Sequence, residues 1–388
     1  MLDFRQVRAQ VQEMGQNAPL REERLRALRQ RANGLLDEHA EALEALREKV
    51  RLASRQVPGL RCARPENEIL NLHIPAPGIP AADIPVIAAD GSQINPDRHA
   101  PVAYYLVNVG AICHFPAADS APKEWVRSRL HYGDDLYPGG SLISEGAVAL
   151  QRDVAERRAL LELVAEAPQS GVITLTDGPL ELWGAKGRDE ASGGNFRRAL
   201  ESYLEALRGL HALGAAAAGY VDKPRADLVV RLLEVALAPE GNLRQALKER
   251  TFLGVTDWAL FAHRLGPGER SAVFGLQSQS EQDYDGALGL HFFYLNVGRK
   301  GNPWLARVEI PRWVADDRRM LEQLHAVLLY QARMLGERAY PYLLHRAHEV
   351  AVVRREEQEQ LTTMILLELR RRGVDVEGKS HKQGVKDL

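Results

Sequence analysis

The sequence predicts an α/β fold around a mixed sheet, and three observations carry that prediction. Two short apolar stretches, Val86-Ile87-Ala88-Ala89 and Val172-Ile173-Thr174-Leu175-Thr176, read as buried strands, and each runs straight into Asp-Gly. Ala103 to Ile112 reads as a further strand, and its short link to the first favours an antiparallel hairpin. Segments of helical periodicity alternate with strands through the rest of the chain, the pattern of a sheet flanked by helices.

The elements follow in order. Residues 1–56 are rich in Arg, Glu, Leu and Ala, and Leu36, Leu43, Leu46 and Val50 recur at helical spacing. This reads as an N-terminal helical arm, either packed on the body or meeting a partner or a second copy. Pro58, Pro65, Pro75, Pro77, Pro80 and Pro85 mark residues 57–85 as an irregular connector. A helix is expected from about Ser144 to Glu166, with Ala149, Val154, Leu160, Leu161 and Val164 inside. Residues 193–213 and 226–237 read as helices around a strand at 215–221, and two more strands span 291–297 and 306–310. C-terminal helices are expected over 316–336 and 342–371. The domain reading is a main domain at 86–372 and a flexible tail at 373–388.

Composition narrows the function. The chain has 388 residues, long enough for a full core without disulfides, and only two cysteines, Cys62 and Cys113. No apolar run approaches the ~18 residues of a membrane span, and the Met-Leu-Asp-Phe-Arg start lacks the apolar core of a signal peptide. A cytoplasmic protein with no membrane contact is the expectation. The formal charge is -2, which argues against bulk polyanion binding and leaves room for a local basic groove.

The chemistry concentrates at Asp90 and Asp177. A carboxylate at a strand's exit is held by a rigid element at the sheet rim, and two such groups on neighbouring strands can share a hard divalent cation. Glycine after each lets a substrate phosphate approach, although Asp-Gly after a strand is also an ordinary turn. A phosphotransferase working through an aspartyl phosphate needs a second acid two residues on. Ser92 and Pro179 occupy those positions, so that reading falls back. The helix between the strands offers Glu156, with Glu162 as the alternative third carboxylate. Near the C-terminus, Tyr340-Pro341 precedes His345 and His348 on a helix opened by the proline, and eight residues from Tyr340 to His348 make about two turns. His348 is a candidate metal ligand or general acid–base; a satisfied core histidine is the plain alternative. Lys223 and Arg270 are candidate phosphate contacts, or simply surface charges.

Several separated segments, taken together and in order from about residue 84 to 353, resemble the NurA family of nucleases. They are Ala88-Ala89-Asp90-Gly91-Ser92, Arg152-Asp-Val-Ala-Glu156, Leu175-Thr176-Asp177-Gly178-Pro179-Leu180, Ala218-Gly219-Tyr220-Val221-Asp222-Lys223-Pro224, Leu265-Gly-Pro-Gly-Glu-Arg270-Ser271, Arg307-Val-Glu309-Ile-Pro311, and Tyr340-Pro341 with His348. The resemblance implies a ribonuclease H-like mixed sheet flanked by helices and a Mn²⁺-dependent nuclease site, with Mg²⁺ as a possible substitute. It implies a homodimer that digests single- and double-stranded DNA, as a 5′-to-3′ exonuclease and a single-strand endonuclease. The implied partner is a HerA-type hexameric ATPase, in end resection and repair of double-strand breaks. Carried onto this sequence, Asp90, Glu156, Asp177 and His348 become metal ligands, with Tyr340 completing the site. Beside that carried-over set, Ser92, Lys223, Arg270 and Tyr340 are candidate substrate contacts read from the residues themselves. A non-catalytic assembly subunit and a metal-dependent phosphatase on small substrates remain the competing classes.

Overall fold

The computed structural model describes residues 2–116, 121–138, 140–184 and 190–374, with the side chains of 190–193 left aside. The expected flexible tail falls outside the described residues from 375 onward. The chain forms two compact units, Met1–Ala76 with Val221–Ala315 and Pro77–Tyr220 with Asp316–Leu388.

The first unit begins with α1 (Phe4–Glu38), capped by the Asp3 carboxylate, which accepts from the Arg5 and Gln6 amides. Only its C-terminal part is sunk into the unit, through Ala32, Leu35 and Leu36, while Phe4, Val11, Met14 and Leu20 stand exposed. Asp37 holds Arg264 at 2.7 Å. The next helix, α2 (Leu43–Gln56), buries Leu46, Val50 and Ala53, one stripe at i, i+4, i+7. The proline-rich stretch supplies two short strands, β1 (Cys62–Pro65) and β2 (His73–Ile74).

Among the described residues the second unit then contributes five sheet strands. Three antiparallel strands, β3 (Val86–Ile94), β4 (Tyr105–His114) and β5 (Lys123–His131), come first. Helix α3 (Glu145–Ala165), capped by Ser144, leads to β6 (Ile173–Asp177), which runs parallel to β3. Helix α4 (Glu190–Ala212) leads to β7 (Ala216–Asp222), parallel to β6. The spatial order is β7-β6-β3-β4-β5. This is the ribonuclease H-like mixed sheet. The sequence reading missed β5, because this edge strand is largely polar and exposed, as edge strands tend to be.

The chain returns to the first unit with α5 (Leu228–Leu237), α6 (Leu243–Glu249) and α7 (Trp258–Phe261). Strands β8 (Arg270–Ser271), β9 (Phe274–Gln277), β10 (Leu290–Asn296) and β11 (Leu305–Pro311) follow, and α8 (Arg312–Asp316) closes the segment. Here β1, β9, β10 and β11 pair antiparallel in that order, with β8 joining β10 to β2. Asp257 caps α5 by accepting from the Val229 and Val230 amides, and the Tyr294 hydroxyl donates to it at 2.6 Å.

Three helices complete the second unit: α9 (Arg318–Met334), α10 (Tyr342–Ala351) and α11 (Arg355–Arg371). The expected single helix over 342–371 is therefore broken at Val352–Arg354. The break has a cause in the sheet. The Ala351 carbonyl accepts from the Ser92 hydroxyl at 2.5 Å and the Asn108 amide at 2.7 Å, and the Val353 amide donates to Ser92 at 3.1 Å. Side chains from β3 and β4 thus take the backbone groups that would continue the helix. Helix α10 packs so near β4 that a Cβ on Gly110 would stand 2.6 Å from the Ala351 nitrogen. We predict that Gly110→Ala destabilises the protein by about 1–3 kcal/mol, because backbone cannot yield as a side chain does. Denaturant unfolding that matches wild type would show that α10 does not need this approach.

Candidate active site

Strand alternation decides which candidate residues meet. Residues opposite one another in an antiparallel pair share a face, and successive residues point to opposite faces. Asp90 lies opposite Gly110 and Ser92 opposite Asn108, so all four belong to the face that α10 covers. Gly91 and Val109 belong to the other face, where Val109 packs in a cluster with Val148 and Ala159 of α3. On β6, Thr176 pairs with Ala89 and Arg157 of α3 donates to its hydroxyl, which leaves Asp177 on the α10 face. The expectation that β3 ends at Asp90 needs correcting. The strand continues to Ile94, because its ladder with β4 persists after its parallel ladder with β6 stops at Ala89–Thr176.

On the α10 face, the His348 Nδ1 stands 2.6 Å from Asp90 Oδ2, while Asp90 Oδ1 accepts from the Gly91 amide at 2.8 Å. Asp90 is largely covered and His348 is 61% exposed, so the imidazole closes the acid from the solvent side. Tyr340 hydrogen-bonds Asp177, and its hydroxyl proton is held far more tightly than in a free tyrosine. Burial is the main cause, followed by the charge of Asp177, this hydrogen bond and the charge of Asp90. Tyr220 meets the Tyr340 ring edge-on at 5.5 Å and fixes its plane.

From the α3 face, Glu156 reaches the strand where Gly91 leaves room: a Cβ there would fall 2.5 Å from Glu156 Oε1 and 2.6 Å from Arg152 Cγ. Glu156 is buried, and its carboxyl is raised well above the usual carboxylate range by that burial, then by the charges of Asp153 and Asp90. Arg152 lies 3.4 Å from it and holds Asp153 at 2.8 Å. Asp153 is raised too, again chiefly by burial. The alternative carboxylate, Glu162, is half exposed and pairs with Arg127 at 2.7 Å, so the structure brings Glu156 to β3 and leaves Glu162 on the surface.

Carboxylates with one imidazole are the donors a hard divalent ion takes, and Mn²⁺ tolerates the nitrogen best. The crowding of Glu156, Asp153 and Asp90 is also the charge excess that a cation relieves. The donor chemistry fits a metal. Among the described residues no three His, Cys, Asp or Glu side chains converge on one point as they stand. Alternation explains this, since Asp90 and Asp177 sit on one face and Glu156 arrives from the other.

The remaining candidates lie elsewhere or are already engaged. The Ser92 hydroxyl is taken up at the α10–α11 break. Arg270 belongs to the first unit, buried, with both terminal nitrogens on Glu68 at 2.9 and 2.8 Å. Lys223, also in the first unit, places its ammonium 3.6 Å from the centre of the Trp304 ring.

The NurA domain family model matches residues 85–353, well over half of the 388-residue chain. The chain belongs to the NurA family. No curated protein sequence matches it. Among solved structures it is similar to the NurA nuclease from Sulfolobus solfataricus, at 12% identity and TM-score 0.48, covering 86% of this chain and 96% of that one. It is similar also to a structure of NurA with manganese, at 13% identity and TM-score 0.39, covering 84% and 98%. A structure of NurA bound to dAMP and manganese matches at 12% identity and TM-score 0.38, covering 82% and 92%.

Two residues of this candidate site escape sequence reasoning. Asp153 stands three before Glu156, the i, i+3 spacing that puts both on one helix face, and that spacing was the available signal. Arg157 looked like one more helix arginine. Its guanidinium is buried, donating to Thr176 at 2.9 Å and the Tyr203 hydroxyl at 3.1 Å, with Nε and Nη1 unpartnered among the described residues. The raised Glu156 has a consequence for stability. A carboxyl whose folded pKa lies above its unfolded value weakens the fold as pH climbs past the unfolded value near 4.5. Glu156→Gln is therefore expected to raise the metal-free melting temperature at neutral pH, by roughly 2–4 °C per kcal/mol relieved. The gain should vanish toward pH 4. Equal or lower melting at pH 7 would contradict the burial argument.

Proposed function

We propose that this NurA chain is a metal-dependent deoxyribonuclease that hydrolyses phosphodiester bonds, with Mn²⁺ as its ion and Mg²⁺ as a weaker substitute. The observation that carries the reading is the Asp90–His348 hydrogen bond, made across 258 residues of sequence at the rim of a ribonuclease H-like sheet. Such a pair fixes a ligand carboxylate and the imidazole that supports it. Asp90, Glu156, Asp177 and His348 would hold the ion. When bound, the ion supplies an activated water and a sink for the charge on the leaving oxygen. The chain's own groups do the rest. Tyr340 stays protonated across the working pH range and serves as a hydrogen-bond donor beside Asp177. Burial of Glu156 excludes water from the inner side, and Arg152 and Arg157 moderate the repulsion among the acids.

The finer reading follows the family: 5′-to-3′ exonuclease and single-strand endonuclease action on DNA ends, as a homodimer beside a HerA-type hexameric ATPase, in break resection and repair. One feature of the first unit supports an assembly role. Phe4, Val7, Val11, Met14 and Ala18 of α1 follow spacings of three and four, the seam of a coiled coil, with Leu25 one heptad further on, and most of that stretch is exposed. A second copy's arm is the occupant such a seam fits.

Digestion of labelled single- and double-stranded DNA with Mn²⁺, with Mg²⁺ and with chelator tests the activity. Cleavage should need the metal. Cleavage of a phosphomonoester but of no DNA would favour the phosphatase class, and no calorimetric Mn²⁺ binding the assembly-subunit class. Asp90→Ala and Asp177→Ala should abolish cleavage and leave circular dichroism unchanged; full activity in either sinks the assignment. His348→Ala removes both a ligand and the partner that orients Asp90, and should lose at least the roughly 10–100-fold typical of an orienting group alone. Removing residues 1–24, which spares Ala32, Leu35 and Leu36, should turn a dimer into a monomer by light scattering at unchanged unfolding. A truncated protein that still dimerises removes the arm from the interface.

A further inference from the structure

The first unit carries a pocket of about 230 Å³ that the site above does not use. It is lined chiefly by Lys223, Pro224, Arg225, Thr256, Trp258 and Trp304. Its volume lies below the roughly 300–1,000 Å³ that engulfs a drug-sized ligand, and suits one flat ring system. Two of the chain's five tryptophans meet here. Trp304 is held rigidly: its indole N–H donates to Asp222 at 2.6 Å, and the Lys223 ammonium lies 3.6 Å from the ring centre. Trp258 is 41% exposed at the start of α7. Neither Lys223 nor Arg225 has an ion-pair partner among the described residues, so two cations stand beside the aromatic surface without a counter-charge of their own. Lys223 also adopts φ 43°, a left-handed backbone rare for a non-glycine residue and disfavoured further by the proline that follows. Local strain of this kind persists only where the surroundings hold it.

Apolar walls, two indoles and two cations without an ion-pair partner among the described residues, one of them Lys223 on a face of Trp304, select a ligand with a flat ring and an adjoining anion. The geometry points to a base-binding subsite for single-stranded DNA, in which one nucleobase stacks on Trp304 or Trp258 and Lys223 and Arg225 take the flanking phosphates. Stacking platforms beside basic side chains hold single strands without sequence preference. The proposal rests on the nuclease reading for its substrate class, and it assigns a binding role that none of the cleavage-site residues supplies.

The test is binding of a labelled oligothymidylate to the full chain in chelator, where no cleavage occurs, by anisotropy and by tryptophan quenching. Wild type should bind with quenching. Trp304→Ala and Trp258→Ala should each weaken binding on the order of ten- to a hundred-fold. Trp304→Phe should restore most of it, which separates loss of the ring from loss of the fold. Lys223→Ala should lower the slope of log affinity against log salt by about 0.7. Oligonucleotide binding indifferent to both tryptophans overturns the subsite, as does quenching by a proline-rich peptide alone. The two readings fail separately. Tryptophan-dependent binding by a wild type that cleaves no DNA keeps the subsite and removes the nuclease; cleavage with tryptophan-independent binding does the reverse.

Discussion

Two neighbouring strands have no side chain at the places where helices pass closest, and the candidate site depends on both omissions. At Gly110 the close neighbours are backbone atoms of Val350 and Ala351, which cannot step aside. That contact sets how deeply α10 lies on the sheet, and so whether His348 reaches Asp90. At Gly91 the neighbours are the ends of Glu156 and Arg152, which can move. The first glycine therefore fixes architecture, while the second admits a third carboxylate to the rim. Ser92 and Asn108 finish the work by drawing the Ala351 carbonyl and the Val353 amide away from a continuing helix. A rigid sheet thus locates a histidine that is remote in sequence.

The electrostatics of the site run against the stability of the empty protein. Glu156 is buried and Asp153 half-buried near Asp90, and the charges of Asp153 and Asp90 add to the cost that burial puts on ionising Glu156. The counter-charges are Arg152 and the buried Arg157, and Arg157 leaves two nitrogens without hydrogen bonds among the described residues. Burying charges with incomplete pairing is unfavourable by several kcal/mol per ion in general. Folds keep such arrangements where a ligand completes them, so the strain is local and the surrounding sheet carries it.

The parts of this plan that sequence could show are those written in local patterns. Asp90 and Asp177 were legible because each follows a buried apolar run, and α3 because its stripe has the helical period. The hidden parts depend on pairing across distance. Where β3 ends is decided by β4, not by the Asp-Gly dipeptide, and a reading of that dipeptide alone stops the strand four residues early. The break between α10 and α11 is invisible in Val352-Val353-Arg354 because its cause lies in Ser92 and Asn108. Tyr340 and His348 came forward through family resemblance and their two-turn spacing, whereas Asp153 and Arg157 look like ordinary charges on a solvated helix. Face assignment shows why: alternation along β3 separates Asp90 from Gly91, and only the register tells which helix each one meets.

The formal charge of -2 takes on a different meaning beside this geometry. A chain that binds a polyanion through many phosphate contacts shows a steep loss of affinity with salt. On the proposed reading the acids lie where the scissile phosphate would come, and a bound metal would offset them locally as an anion approaches. The cations lining the pocket of Trp258 and Trp304 are Lys223 and Arg225, so in the proposed subsite ring stacking would supply what bulk charge does not. Stacking depends little on ionic strength. If the proposed pocket holds a base, the same near-neutral composition is compatible with recognition of exposed bases through stacking.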